Sequence, residues 1–199
     1  MHEFSSVQTT FKVRRWDAGQ TLWVKERKGL LFDPTARDFD DLGVTPYLET
    51  VHENANLITE LGWAALLGGV AGTSIGTKFS SAAGRIGVGT SSTAATAADT
   101  TLGGDTGGGS TTSYFQLVSG APVINTSSAV STLTFASTFG TGVANFAWNE
   151  LGIDNGTASG VTVSGIFINH GISSQGTKVS GQTWNATAIL NFGYSASLS

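Results

Sequence analysis

The sequence predicts an all-β protein: an antiparallel β-sandwich or jelly-roll-like domain, led by one short buried helix at about 55–67 and by an N-terminal hairpin and extended arm. Three observations predict it. Of 199 residues, 27 are Gly and 49 are Ser or Thr, which suits many tight turns, while aromatic residues still make up 10% and can fill a core. From residue 84 onward the apolar residues recur with a period of two. Turn-forming runs such as Asp154-Asn155-Gly156 separate those segments.

Taken in order, Val7 to Trp16 and Thr21 to Glu26 read as two strands joined across Asp17-Ala18-Gly19-Gln20, a hairpin-like turn. Residues 33–50 contain Pro34 and Pro46 with little periodicity, and read as an extended loop or arm. One helix is predicted from Ala55 to Leu67. Asn54 or Asn56 can cap it, Glu60 favours its positive end, and Gly68-Gly69 ends it. Leu57, Leu61 and Ala65 form one stripe with Ile58 and Leu66 beside it, so apolar residues lie nearly all round and predict burial.

Strands then follow at Arg85 to Gly89, Tyr114 to Val118 and Ser131 to Phe139. The first two are separated by a small-residue connector, Ser91 to Gly109, with Leu102 as its apolar anchor. Ala144, Phe146 and Trp148 share a face, and Val161, Val163, Gly165 and Phe167 oppose Ile166 and Ile168. The clearest strand is the last, where Trp184, Ala186, Ala188, Leu190, Phe192 and Tyr194 alternate with Thr183, Asn185, Thr187, Ile189 and Asn191. No internal repeat is present, which disfavours propellers and solenoids.

Charge divides the chain. Seventeen of the 24 charged residues fall within residues 1–60. The division suggests a charged anchoring segment, residues 1–53, and a sandwich domain, residues 54–199, that hides its faces in an assembly. With a net charge of −4 and no long single-sign block, bulk attachment to nucleic acid or an anionic membrane is not expected. The opening stretch MHEFSSVQTTFKVRRW lacks an apolar h-region, so no signal peptide is expected, and the longest apolar stretch, Trp63 to Ala71, is too short to span a bilayer. Cysteine is absent, so disulfides and thiolate chemistry are excluded.

Motifs for chemistry are weak. Gly72-Thr73-Ser74-Ile75-Gly76 matches G-x-S-x-G, with Asp154 and His170 downstream, but a helix precedes it where a nucleophile elbow needs a strand. Gly84-x-x-Gly87-x-Gly89 and the glycines at 103–109 lack the Lys and helix N-terminus of a phosphate cradle. Asp38, Asp40 and Asp41 lack a calcium-loop pattern, and His2, His52 and His170 lack zinc-ligand spacing. Glu150 with Asp154 is the remaining carboxylate pair. No catalytic residue, cofactor or metal is therefore expected, and the chain reads as a non-enzyme. Lys12, Arg14, Arg15 and Trp16, extended by Lys25, Arg27 and Lys28, form a basic-aromatic patch. The reading preferred over single-stranded nucleic acid is neutralisation by the acidic loop that follows or by an acidic neighbour.

Five stretches carry a resemblance: Asn56 to Gly62 leading into the helix, Arg85-Ile86-Gly87-Val88-Gly89-Thr90, Thr96 to Gly103 (TAADTTLG), Asn145 to Gly152 (NFAWNELG), and Gly176 to Trp184 (GTKVSGQTW). Their order resembles that of small structural proteins of tailed-bacteriophage virions, of the decoration, minor capsid, collar or tail-fibre type. The resemblance covers about residues 54–195 and supplies no catalytic residues. It implies a location in the virion and a role as a capsid decoration or cement protein, a homo-oligomer (a trimer among the arrangements open) that clamps the major capsid protein or other virion proteins. The anchoring role of residues 1–53 is argued from composition, with Arg14, Arg15, Trp16, Trp23 and Phe32 as interface residues. The alternatives are a tail, collar or fibre-base component, or a carbohydrate- or receptor-binding module using Trp148, Trp184 or Tyr194.

Overall fold

The computed structural model describes residues 7–53, 56–73, 79–80, 82–105, 111–126 and 130–193. Among these residues ten strands and three helices follow in chain order. They are β1 (Val7–Trp16), α1 (Ala18–Lys28), α2 (Ala36–Asp41), β2 (Leu48–His52), β3 (Asn56–Ile58), α3 (Glu60–Ala71), β4 (Arg85–Gly89), β5 (Ser113–Leu117), β6 (Val123–Thr126), β7 (Val130–Phe139), β8 (Ala147–Asp154), β9 (Phe167–Thr177) and β10 (Thr183–Gly193). The strands form two antiparallel sheets. Sheet A has the order β2-β1-β10-β7-β6 and sheet B the order β3-β9-β8-β4-β5.

The alternation read in the sequence sets the core. Phe11 and Val13 of β1, Phe135 and Phe139 of β7, and Trp184, Ala186, Ala188 and Leu190 of β10 point from sheet A toward sheet B. Ile86 and Val88 of β4, Leu151 and Ile153 of β8, and Ile168 of β9 meet them. Trp148 ties the layers together, with its ring centroid 4.7 Å from that of Phe139 and 4.8 Å from that of Trp184, both edge-on. Such pairs add about 0.5–1.5 kcal/mol each beyond area burial. This is a β-sandwich.

The N-terminal segment departs from the expected hairpin. β1 pairs along its whole length with β10, so it is an interior strand of sheet A. The residues expected as its partner strand form α1 instead. Asp17 and Gln20, which resemble turn residues, make a reciprocal capping box: Gln20 N–H donates to Asp17 Oδ1 at 2.8 Å, and Asp17 N–H to Gln20 Oε1 at 3.1 Å. Gly29, at φ 63°, ends the helix. The 33–50 segment is likewise not fully extended, since it holds α2 and the start of β2.

The predicted 55–67 helix is also corrected. Residues 56–58 pair with β9 as a short strand, and α3 starts at Glu60, capped by Thr59, whose Oγ1 accepts from Gly62 N–H at 2.9 Å. The helix continues through Gly68-Gly69 to Ala71. It is only half buried: Gly62 sits tightly against the Ile168 backbone, while Leu61, Trp63 and Leu67 are exposed. Among the described residues no helix is long and apolar enough to cross a membrane.

Candidate functional site

The outward face of sheet B is not solvated. Alternation along β4 and β8 sends Arg85, Gly87, Gly89, Glu150, Gly152 and Asp154 away from the core, yet Arg85, Glu150 and Asp154 are buried. The connector after β4 and the segment between β8 and β9 lie over them. Leu102 from the first and Val163 from the second pack with Phe115 and Phe167 in a separate apolar cluster. Glycine makes the close cover possible. A Cβ at Gly87 would stand 2.5 Å from the Phe115 ring, and one at Gly89 would run into the Glu150 carboxylate.

Two buried ionic groups organise this layer. Arg85 forms a two-pronged pair with Asp154: Nε donates to Oδ1 at 2.7 Å and Nη2 to Oδ2. Arg85 also donates to the carbonyls of Ala158 (2.8 Å) and Thr162 (3.1 Å), fixing the 155–165 cover. The second group is centred on Glu150. It accepts backbone N–H bonds from Gly104 (2.7 Å), Gly103 (2.7 Å) and Ser91 (3.1 Å), and His170 Nε2 lies 2.9 Å from its Oε2. The other ring nitrogen, Nδ1, lies 2.6 Å from Asp99 Oδ2. Asp99 in turn accepts from the backbone and hydroxyl of Thr96 at 2.8 and 2.6 Å.

Electrostatics favour an imidazolium here. Burial opposes the charged ring, but the hydrogen bonds and charges of Glu150 and Asp99 outweigh it, and the His170 pKa lies above its ordinary value. For Asp99, burial pushes upward and is outweighed by the Thr96 and His170 contacts, so its carboxyl lies below the ordinary value. With both nitrogens facing carboxylates, the ring keeps no free lone pair for a general base. A cleft of about 350 Å³ beside His170 is lined by Thr93, Thr101, Asp99 and Asp105. The geometry is that of a clamp holding a loop.

Among the described residues Asp154 and His170 do not pair with each other as a hydrolase triad requires: Asp154 pairs with Arg85, and His170 with Glu150 and Asp99. The Ser74 region lies outside the described residues. Glu150 and Asp154 also serve separate partners, so they are not an acid–base pair. Among the described residues no group of three His, Asp or Glu side chains is placed to hold a metal ion.

A third buried ion sits at the end of the sandwich. Lys178 donates to the carbonyls of Gly140 (2.7 Å) and Val143 (3.0 Å) and to Asn145 Oδ1 (2.8 Å). Burial pushes its pKa down to about 8, with Asp33 pulling the other way.

The residues expected at an interface separate into two sets. Arg15 and Trp16 are internal. Arg15 lies over the Trp184 ring and donates to Gln175 Oε1 at 2.7 Å, while Trp16 stacks on Phe39 with centroids 4.2 Å apart. Arg14 is ion-paired with Asp40 at 2.8 Å. Lys28 joins Asp38 and Asp41 at 2.9 and 2.8 Å, so the acidic loop neutralises much of the basic patch. Trp23 and Phe32 remain available, at 49% and 82% exposure, beside Leu22 and with Leu31 at 88%. Trp148 and Trp184 are buried in the core and cannot stack on a sugar; Tyr194 lies outside the described residues.

Sequence reasoning missed the Glu150–His170–Asp99 clamp. The available signal was Gly87, Gly89 and Gly152 in phase with Glu150 and Asp154, since small residues in a row on one strand face invite a covering layer. Comparison of the chain with protein-family models, curated proteins and solved structures finds no match.

Proposed function

We propose that this chain is a structural protein of a tailed-phage virion, a capsid decoration or cement protein that forms a homo-oligomer and docks on the capsid through its N-terminal segment. One observation carries the reading: the charges of that segment are largely paired internally, whereas Trp23, Leu31 and Phe32 stay exposed. A surface whose ions are already neutralised offers apolar side chains, and these suit a protein partner better than a phosphate backbone. The resemblance of the 85–103, 145–152 and 176–184 stretches to virion proteins supports the same role. Those stretches contribute Asp99 and Glu150 to the clamp and Lys178 and Asn145 to the cradle, which fasten loops to the sandwich. On this reading the sandwich is jelly-roll-like, which the side-by-side placement of the first and last strands supports.

The second reading, a tail, collar or fibre-base component, shares this surface and differs in copy number. Particles assembled without the protein should lose heat or osmotic resistance, and intact particles should carry hundreds of copies. Unchanged robustness would contradict the cement role, and a dozen copies or fewer would favour the tail or collar.

A further inference from the structure

We propose that the edge strand β6 pairs antiparallel with β6 of a second copy of this chain, joining two A sheets into one ten-stranded sheet across a two-fold axis. The inference rests on the homo-oligomer part of the proposed function and not on where in a virion the protein sits.

β6 pairs with β7 on one side, Val123 opposite Thr134 through Thr126 opposite Ser131, without a register shift. An edge strand carries backbone N–H and C=O groups on its outer side that need partners, and natural sheets shield them with charges, bulges, covers or shortness. The other three edges have such shields. On β5, Phe115 exchanges both backbone bonds with Gly160 (2.7 and 2.9 Å), and Leu117 N–H donates to Ser159 Oγ at 3.0 Å. β2 carries Glu49, bonded to Lys12 at 2.8 Å, and ends at His52. β3 is three residues long and runs straight into α3.

β6, one residue longer than β3 and not leading into a helix, carries no charge and no register shift among the described residues. Its sequence is Val-Ile-Asn-Thr, all four residues are exposed, and Ile124 and Val123 reach 71% and 53%. Its surroundings also select the partner. β6 and the strand it pairs with, β7, both lie in the stretch between Asp105 and Glu150, which holds no charged residue, so the two strands themselves offer a charged partner no counter-ion. Its own copy is uncharged, of matching length, and self-complementary in antiparallel pairing about a two-fold axis. The same operation at β2 would set Glu49 near its own copy.

Light scattering on the eluting full chain, over a dilution series reaching about 1 mM, tests this. The mass should approach twice 20.5 kDa, and amides 123–126 should gain hydrogen-exchange protection as the dimer fills. Ile124→Lys and Val123→Lys, both at exposed positions, should keep the circular dichroism of the fold and elute as monomers. Val51→Lys on β2 should remain dimeric. A wild type that stays monomeric throughout, or that forms a trimer, overturns the proposal. So does a dimer that survives both β6 substitutions. Failure of the virion reading would show separately, in the particle experiment above.

Discussion

His170 Nε2 and Glu150 Oε2 lie 2.9 Å apart on adjacent strands of sheet B, beneath a loop whose Gly103 and Gly104 N–H groups point at the same carboxylate. One buried carboxylate thus gathers a strand, a loop and an imidazole. Glu150→Gln should be costly, because an amide NH2 must then face either a backbone N–H or the charged ring. A loss of about 3 kcal/mol is expected from breaking a buried charged network. It would be read as a lower urea midpoint with an unchanged m value.

The clamp also sets a pH window. The raised His170 pKa means the folded state holds a proton that the unfolded chain releases near 6.5, so this stabilisation is complete below 6.5 and is lost as pH rises through the folded value. The lowered Asp99 pKa contributes above about 3.8 and is lost as pH falls through the folded value. The stability difference between wild type and His170→Gln should therefore be largest between these limits and shrink on the alkaline side. Urea titrations at several pH values check this; a difference that grows above pH 7 contradicts it.

Two glycines should respond in opposite directions. Gly89→Ala pushes a methyl into the Glu150 carboxylate and should destabilise by about 1–3 kcal/mol through overpacking. Gly69→Ala lies within α3, where an added Cβ meets nothing within 4 Å, and should stabilise by about 0.5–1 kcal/mol. Thermal melts of the two variants give the comparison.

Lys178→Met removes the donor that satisfies three oxygens on the 140–145 turn. Leaving them unpaired should cost about 1–3 kcal/mol. Because the folded pKa of about 8 lies below the ordinary 10.5, the folded state binds fewer protons in that interval. Lys178 therefore adds stability as pH rises from about 8 to 10.5, and the wild type should gain on the Met variant across that range. Parallel unfolding curves at pH 7 and pH 10 check both statements.

Much of the sandwich was legible because alternation is a strong signal wherever one face is dry. The run from Trp184 to Phe192, the pair Phe135 and Phe139, and Arg85 to Gly89 all lie in the strands read from them. The N-terminal hairpin failed because Asp and Gly open a turn and cap a helix alike, and only the Asp17–Gln20 exchange decides between them. α3 was displaced because Asn56-Leu57-Ile58 takes a place beside β9 that local pattern does not reveal. The clamp was missed for a different reason. Outward polar residues on a strand ordinarily mean solvent, and the cover over Glu150 and His170 comes from a connector with no periodicity.

The proposed attachment of this sandwich to a virion surface rests on the exposed apolar residues of its N-terminal segment. Its most direct measurement is co-sedimentation of the purified chain with phage particles assembled without it, for the wild type and for the double variant Trp23→Ser, Phe32→Ser. Stoichiometric, saturable binding by the wild type, lost by at least tenfold in a variant with an unchanged melting temperature, is the predicted result. Equal binding by both, or none by the wild type, would contradict it.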